Sequence, residues 1–153
     1  MILFDSKNAC YGCGACENVC PTKAIVMKAD SEGFLYPEID AIKCVDCGKC
    51  KSVCQIHSNI PRNTIEPIVF AAKNKDEDVR SRSTSGGMFS VFADAVIKNG
   101  GTVYGVAFDD EFNILHKRAQ TTEGYKEFMG SKYAQSNIGD TYLNVKKDLA
   151  DGK

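Results

Sequence analysis

Apolar and polar residues alternate with two different periods in the later part of the chain. Ile68-Val69-Phe70-Ala71-Ala72 is short, apolar and partly β-branched, the pattern of a buried strand. A polar stretch over residues 76–82 follows. Met88, Val91, Phe92, Ala95 and Val96 then recur at helical spacing, with Ser90, Asp94 and Lys98 on the opposite face. Gly100-Gly101 suits the left-handed end of that helix. Residues 102–108 read as a second strand, Asp109-Asp110-Glu111 as a turn, and residues 113–119 as a third strand paired with the second. A short helix is predicted over residues 123–129, and a last one from the spacing of Ile138, Tyr142, Val145 and Leu149. These elements predict a mixed α/β layer. Residues 55–66, with Pro61, Asn63, Thr64 and Glu66 ahead of Pro67, read as a linker. No apolar run is long enough to span a membrane, and the apolar start at Met1-Ile2-Leu3-Phe4 is too short for a signal peptide. The expectation is a cytoplasmic protein.

The chemistry lies before that linker. All eight cysteines of the 153-residue chain fall within the first 54 positions. Cys10, Cys13, Cys16 and Cys20 have the spacing C-x2-C-x2-C-x3-C, followed by Pro21. Cys44, Cys47, Cys50 and Cys54 repeat it 34 residues later, followed by Gln55. Gly14 matches Gly48 and Val19 matches Val53, so the region reads as two similar half-units. A cubane cluster needs four thiolates around one compact core. Two-residue gaps let a tight loop aim three sulfurs at one point, and Gly12, Gly14, Ala15 and Gly48 let the backbone turn sharply and approach closely. Backbone N–H groups in such loops reach the sulfurs and help set the potential.

This spacing is the bacterial ferredoxin run, in which the fourth cysteine ligates the other of two clusters. The expectation is therefore two [4Fe–4S] clusters with exchanged ligands. Cys10, Cys13, Cys16 and Cys54 would hold the first, and Cys44, Cys47, Cys50 and Cys20 the second. Disulfides, a zinc site and buried structural thiols are the competing readings. Adjacent triplets make an odd disulfide framework. Zinc sites use C-x2-C pairs and would leave the middle cysteine of each triplet without a role. Buried thiols would not repeat so regularly.

Net charge is −1, which argues against a general nucleic-acid binder. Residues 1–66 carry 7 basic and 8 acidic side chains, and residues 67–153 carry 12 of each. A cluster core of about +2 on four thiolates adds about −2. The loaded N-terminal part is thus more acidic than its sequence suggests, which favours a redox partner with a basic patch.

Two later segments are candidates for ligand contact. Ser83-Thr84-Ser85-Gly86-Gly87 opens a predicted helix, where free N–H groups and the helix dipole attract anions. Plain N-capping by Ser or Thr is the alternative. Gly130-Ser131-Lys132-Tyr133-Ala134-Gln135-Ser136 mixes a cation, a ring and hydroxyls on a loop, and an ordinary surface connection is its alternative. His57 could stand near a cluster, and His116 alternates within a predicted strand. No nucleophile–base constellation is present, so catalytic residues stay unassigned.

The first 60 residues resemble dicluster bacterial ferredoxins. Cys20-Pro21-Thr22-Lys23-Ala24-Ile25 and Gly33-Phe34-Leu35-Tyr36-Pro37-Glu38-Ile39-Asp40 carry that likeness beside the cysteines, while Gln55 departs from it where proline is usual. The chain as a whole resembles the coenzyme F-420 hydrogenase/dehydrogenase beta subunit family. Arg82-Ser83-Thr84-Ser85-Gly86-Gly87-Met88-Phe89, Gly101-Thr102-Val103-Tyr104-Gly105-Val106-Ala107-Phe108 and Gly130-Ser131-Lys132-Tyr133-Ala134-Gln135-Ser136 carry this likeness, in the expected order. The resemblance implies FAD between iron–sulfur clusters and a deazaflavin coenzyme, with Ser85, Gly86, Gly87, Lys132 and Tyr133 on the flavin side. It also implies that a buried strand and more flavin-binding sequence follow residue 153, so the chain reads as an N-terminal piece.

The expected fold class is α+β: a small dicluster ferredoxin-like domain over residues 1–62, then an incomplete mixed α/β domain over residues 67–153. The expected function is electron transfer through two [4Fe–4S] clusters, as the iron–sulfur part of a flavin-dependent oxidoreductase. A redox protein or subunit would be donor or acceptor. A non-catalytic ferredoxin-type carrier or docking module is the alternative.

Overall fold

Two short antiparallel hairpins, one early and one late in the chain, carry an α+β fold. The computed structural model describes residues 3–57 and 64–153. Its contacts group Met1–Thr64 with Ile138–Tyr142 as one unit, and Ile65–Asn137 with Leu143–Lys153 as another. Half of the predicted linker, residues 58–63, lies outside the described residues.

In the first unit β1 (Ile25–Ala29) pairs with β2 (Leu35–Ile39), from Ile25 opposite Ile39 to Ala29 opposite Leu35. Asp30 closes the turn by accepting from the N–H groups of Glu32 at 3.0 Å and Phe34 at 3.1 Å, the Asx geometry that lets aspartate imitate a backbone turn. Short helices α1 (Ala15–Val19) and α2 (Lys49–Ser52) each start just after a left-handed glycine, Gly14 at φ 70° and Gly48 at φ 73°. The sequence repeat is thus also a backbone repeat. The core is small: Leu3, Ile25 and Cys50, with Phe4, Cys16, Val19, Cys20 and Ile39 packed against them.

In the second unit β3 (Val103–Phe108) pairs with β4 (Ile114–Ala119). Leu115 also bridges Asn137 in parallel. Helices α3 (Glu77–Ser81), α4 (Met88–Lys98), α5 (Thr122–Lys126) and α6 (Thr141–Ala150) complete the described elements. Ala93, Ala119 and Tyr125 form the buried centre, with Ile97, Val103 and Phe128 against it. Gly105 admits the Phe128 ring, because a Cβ there would stand 2.4 Å from it. The Phe89 and Tyr125 rings meet T-shaped with centroids 5.8 Å apart, and the Tyr125 hydroxyl donates to Asp94 at 2.7 Å.

Three patterns differ from expectation. Ile68-Val69-Phe70 forms no strand, and its side chains are exposed. A run of β-branched and aromatic residues needs a neighbouring strand to become one, and the bridge to β4 is made by Asn137 instead. Helix α4 buries Ser90 and Ala93, while Val91, Phe92 and Val96 of the apolar stripe are exposed. Small residues let the helix approach its neighbours closely, and that close approach outweighs the wider apolar face. On α6 the buried side chains are Thr141 and Asp148, while Tyr142 and Leu149 are exposed.

Asp148 is buried because it is paired. Arg118 on β4 holds it in a fork, Nε to Oδ2 at 2.7 Å and Nη2 to Oδ1 at 2.6 Å. The Tyr104 hydroxyl on β3 donates to Oδ2 at 2.5 Å. Those bonds, the Arg118 pair first, hold the carboxyl well below the usual carboxylate range, as expected for a buried charge that is fully bonded.

Candidate functional site

The eight cysteines gather around two cavities. Cys10, Cys13, Cys16 and Cys54 line one, with Tyr11, Gly14, Ala15 and Pro37 among its other walls. Cys20, Cys44, Cys47 and Cys50 line the other, beside Pro21, Ala24 and Gly48. Each group takes three cysteines from one run and the fourth from the other. All eight are free thiols.

Local structure aims backbone donors at the sulfurs. Gly12 donates its N–H to Cys10 Sγ at 3.4 Å, and Ala24 to Cys20 Sγ at 3.2 Å. The Thr22 hydroxyl lies 3.7 Å from the same Cys20 sulfur. Burial opposes ionisation of Cys20, but these donors outweigh it and bring its pKa below the ordinary thiol value. Burial dominates at Cys16, whose thiol is pushed up to about 12, and it also raises Cys50. A metal-free Cys16 therefore keeps its proton, and ligation releases it.

Among the described residues no three His, Cys, Asp or Glu side chains converge on the space of a single ion. A cubane bonds its four thiolates at four separate irons, so its ligands stand further apart than those of one ion. All-thiol donor sets, N–H groups directed at sulfur and small residues on the cavity walls fit [4Fe–4S] clusters. His57 does not stand free beside them, since its Nε2 donates to the Leu3 carbonyl at 2.7 Å.

The two other predicted segments meet in one cavity of about 410 Å³ in the second unit. Ser83, Thr84, Ser85 and Gly87 line one side, and Gly130, Ser131 and Lys132 another. Phe89, Val106, Phe128 and Met129 supply apolar wall. Its volume lies in the range of about 300–1,000 Å³ usual for small-molecule sites. Helix α4 begins here at Gly87, φ 72°, and no side chain caps it. Capping, the alternative reading of this turn, is therefore not what the serines and threonine do. Ser83 donates to the Val79 carbonyl at 2.8 Å instead.

Of the five flavin-side candidates, Ser85, Gly87 and Lys132 reach this cavity. Gly86 and Tyr133 are not on its walls. Gly86 instead packs on the Ala72 backbone, where a Cβ would stand 2.5 Å from the carbonyl oxygen, and Tyr133 is 96% exposed. Lys132 donates to the carbonyls of Glu127 at 3.0 Å and Met129 at 3.1 Å, and burial lowers its pKa.

Asn74 and Arg80 are supporting residues that sequence reasoning missed. The Asn74 N–H donates to the Gly86 carbonyl at 2.6 Å, and Arg80 Nη1 to the Asn74 carbonyl at 2.8 Å. Together they fix the turn ahead of α4. An asparagine two residues before a capping aspartate, Asp76, is the local signal that could have found the first of them. His116 shares a hydrogen bond with the Ser136 hydroxyl at 3.0 Å, a structural contact at the β4 edge.

Comparison with known proteins agrees with the cysteine geometry. Residues 9–57 match the family described as a 4Fe-4S dicluster domain. No curated protein matches the sequence. The N-terminal part is a ferredoxin-like dicluster domain that holds [4Fe–4S] clusters and serves iron–sulfur electron transfer. Among the described residues no helix is long and apolar enough to cross a membrane.

Proposed function

We propose that this chain is the iron–sulfur part of a flavin-dependent oxidoreductase, of the kind represented by coenzyme F-420 hydrogenase/dehydrogenase beta subunits. Residues 1–62 form its dicluster domain and residues 67–153 belong to its flavin-side α/β domain. Cys10, Cys13, Cys16 and Cys54 hold one cluster, and Cys44, Cys47, Cys50 and Cys20 the other. The grouping of the thiols around two cavities supports this ligand set. When bound, each cluster supplies a one-electron centre between an external redox protein and the second domain. A cytoplasmic setting belongs to the same reading, because reducing compartments keep thiols free for cluster assembly.

The observation that carries the flavin reading is the cavity joining the Ser85–Gly87 side to Lys132. Uncapped N–H groups at the start of α4 and the Lys132 ammonium suit a phosphate. Phe89, Val106 and Phe128 suit a planar ring. A deazaflavin is the proposed small-molecule partner.

Titration of the anaerobically reconstituted protein with FAD, followed by flavin fluorescence, tests this. Saturable quenching is expected, weakened about tenfold or more in Lys132→Ala, since one charge-assisted hydrogen bond contributes about 1.5–3 kcal/mol. No saturable binding with both clusters full would sink the flavin reading. The second reading, a ferredoxin-type carrier or docking module, would then stand, and the family match over residues 9–57 supports it independently.

A further inference from the structure

The two halves of the cysteine repeat share a backbone but differ in what covers them. At an offset of 34 residues, Cys13 and Gly14 correspond to Cys47 and Gly48. Gly14 (φ 70°, ψ 0°) and Gly48 (φ 73°, ψ −5°) have nearly the same conformation. At Gly48 nothing among the described residues lies within 4 Å of the position a Cβ would take, and Cys47 is the one exposed cysteine. At Gly14 the Ile138 Cγ2 stands 2.6 Å from that position, and the glycine is buried.

Other contacts hold the same segment in place. Asn18 Nδ2 donates to the Gly139 carbonyl at 2.9 Å and to the Gly14 carbonyl at 3.3 Å. Thr141 N–H donates to the Ile138 carbonyl at 3.1 Å, closing the turn that presents Tyr142. Burial first, and then the neighbouring Cys13 thiol, raise the Tyr142 pKa, so this hydroxyl stands beside that sulfur. Residues Ile138–Tyr142 belong to the same unit as the cysteines.

We propose that Ile138–Tyr142 is a strap that makes the two clusters inequivalent, with Tyr142 donating a hydrogen bond to the Cys13 thiolate and Ile138 keeping water from the Gly14 corner. The inference rests on Cys13 being a cluster ligand. The two side chains act on the potential in opposite directions. A donor at a ligating sulfur favours the reduced, more negative state and raises the potential. Excluding water disfavours added negative charge and lowers it. Among the described residues none covers the matching corner at Gly48, and the cluster at Cys47 is the one open to a redox partner. Ile138 and Tyr142 are thus positioning residues, acting on the cluster through Cys13 and Gly14.

Tyr142→Phe and Ile138→Ala, made in the full chain and reconstituted anaerobically, separate these roles. Iron and acid-labile sulfide are measured first, and each potential is then followed by EPR-monitored redox titration. Tyr142→Phe is expected to keep its iron and sulfide and to shift one of the two potentials negative, leaving the other in place. Ile138→Ala is expected to shift the same potential positive and to speed iron release to a chelator. Unmoved potentials in both variants, with iron and sulfide at full content, would overturn the inference and leave the ligand assignment standing. A wild-type protein that assembles no iron or sulfide would overturn the ligand assignment itself, and the strap with it.

Discussion

The two units hold themselves together by different means. In the first, cysteines are part of the core: Cys50 is buried at its centre, and Cys16 and Cys20 pack against Leu3 and Ile25. Among the described residues the other buried apolar side chains there are Leu3, Ala24 and Ile25, so the unit leans on what the thiols bind. In the second, the centre is carbon and ring: Ala93, Ala119 and Tyr125, with Phe128 let in by Gly105. An ion pair between exposed Arg118 and buried Asp148 ties α6 to the hairpin. The contrast teaches that a domain short of apolar core can be completed by an inorganic one.

Removing iron should break this comparison most sharply. A chelator under reducing conditions is expected to strip hydrogen-exchange protection from the amides of β1 and β2 and leave protection in β3 and β4. Equal loss in both hairpins would mean the units do not differ in this way. Next in size is Gly105→Ala, which forces a Cβ against the Phe128 ring. A loss of about 1–3 kcal/mol is expected for such overpacking, read by urea unfolding of the second unit with the cluster absorbance unchanged.

The Asp148 carboxyl gives a smaller, pH-dependent term. Its pKa is depressed in the folded protein, so its contribution is full above the unfolded value of about 3.9 and is lost as pH falls below that. Asp148→Asn should lower the melting temperature of the second unit by several degrees at neutral pH. The difference from wild type should shrink as the solution is acidified. The smallest expected effect sits in the first unit. Asp46, at φ 50°, occupies the left-handed position that Gly12, at φ 62°, fills in the other half of the repeat. Asp46→Gly should stabilise by up to about 1 kcal/mol, because a left-handed residue with a Cβ costs roughly 1–2 kcal/mol and glycine returns part of that as entropy. A destabilised variant would show that the Asp46 side chain has bonds worth more than its strain.

The first unit was far more legible than the second, for a physical reason. Ligand spacing is a local property, so C-x2-C-x2-C-x3-C specifies its loops within eleven residues. Left-handed Gly14 and Gly48 follow from the same local demand. The hairpin of residues 103–119 was also readable, because alternation and the turn at Asp109 are local, with Asp109 accepting from the N–H groups of Glu111 at 2.9 Å and Asn113 at 2.8 Å. What stayed hidden was set at long range. The burial of Asp148 depends on Arg118, 30 residues earlier, and on Tyr104, 44 residues earlier. Nothing near Ile68 says whether a strand will lie beside it. Among the candidate site residues, Ser85, Gly87 and Lys132 share a cavity because distant segments fold together. Tyr133, next to Lys132 in sequence, is exposed and stands off the cavity wall.

The central claim is that each half of the cysteine repeat lends its last thiol to the other. Cys54→Ser, reconstituted anaerobically and followed by Mössbauer spectroscopy with EPR redox titration, tests it most directly. The account predicts damage to the cluster held by Cys10, Cys13 and Cys16, with the cluster of Cys44, Cys47 and Cys50 keeping its iron and its potential. Damage confined to the Cys44 cluster, with the Cys10 cluster intact, would contradict it.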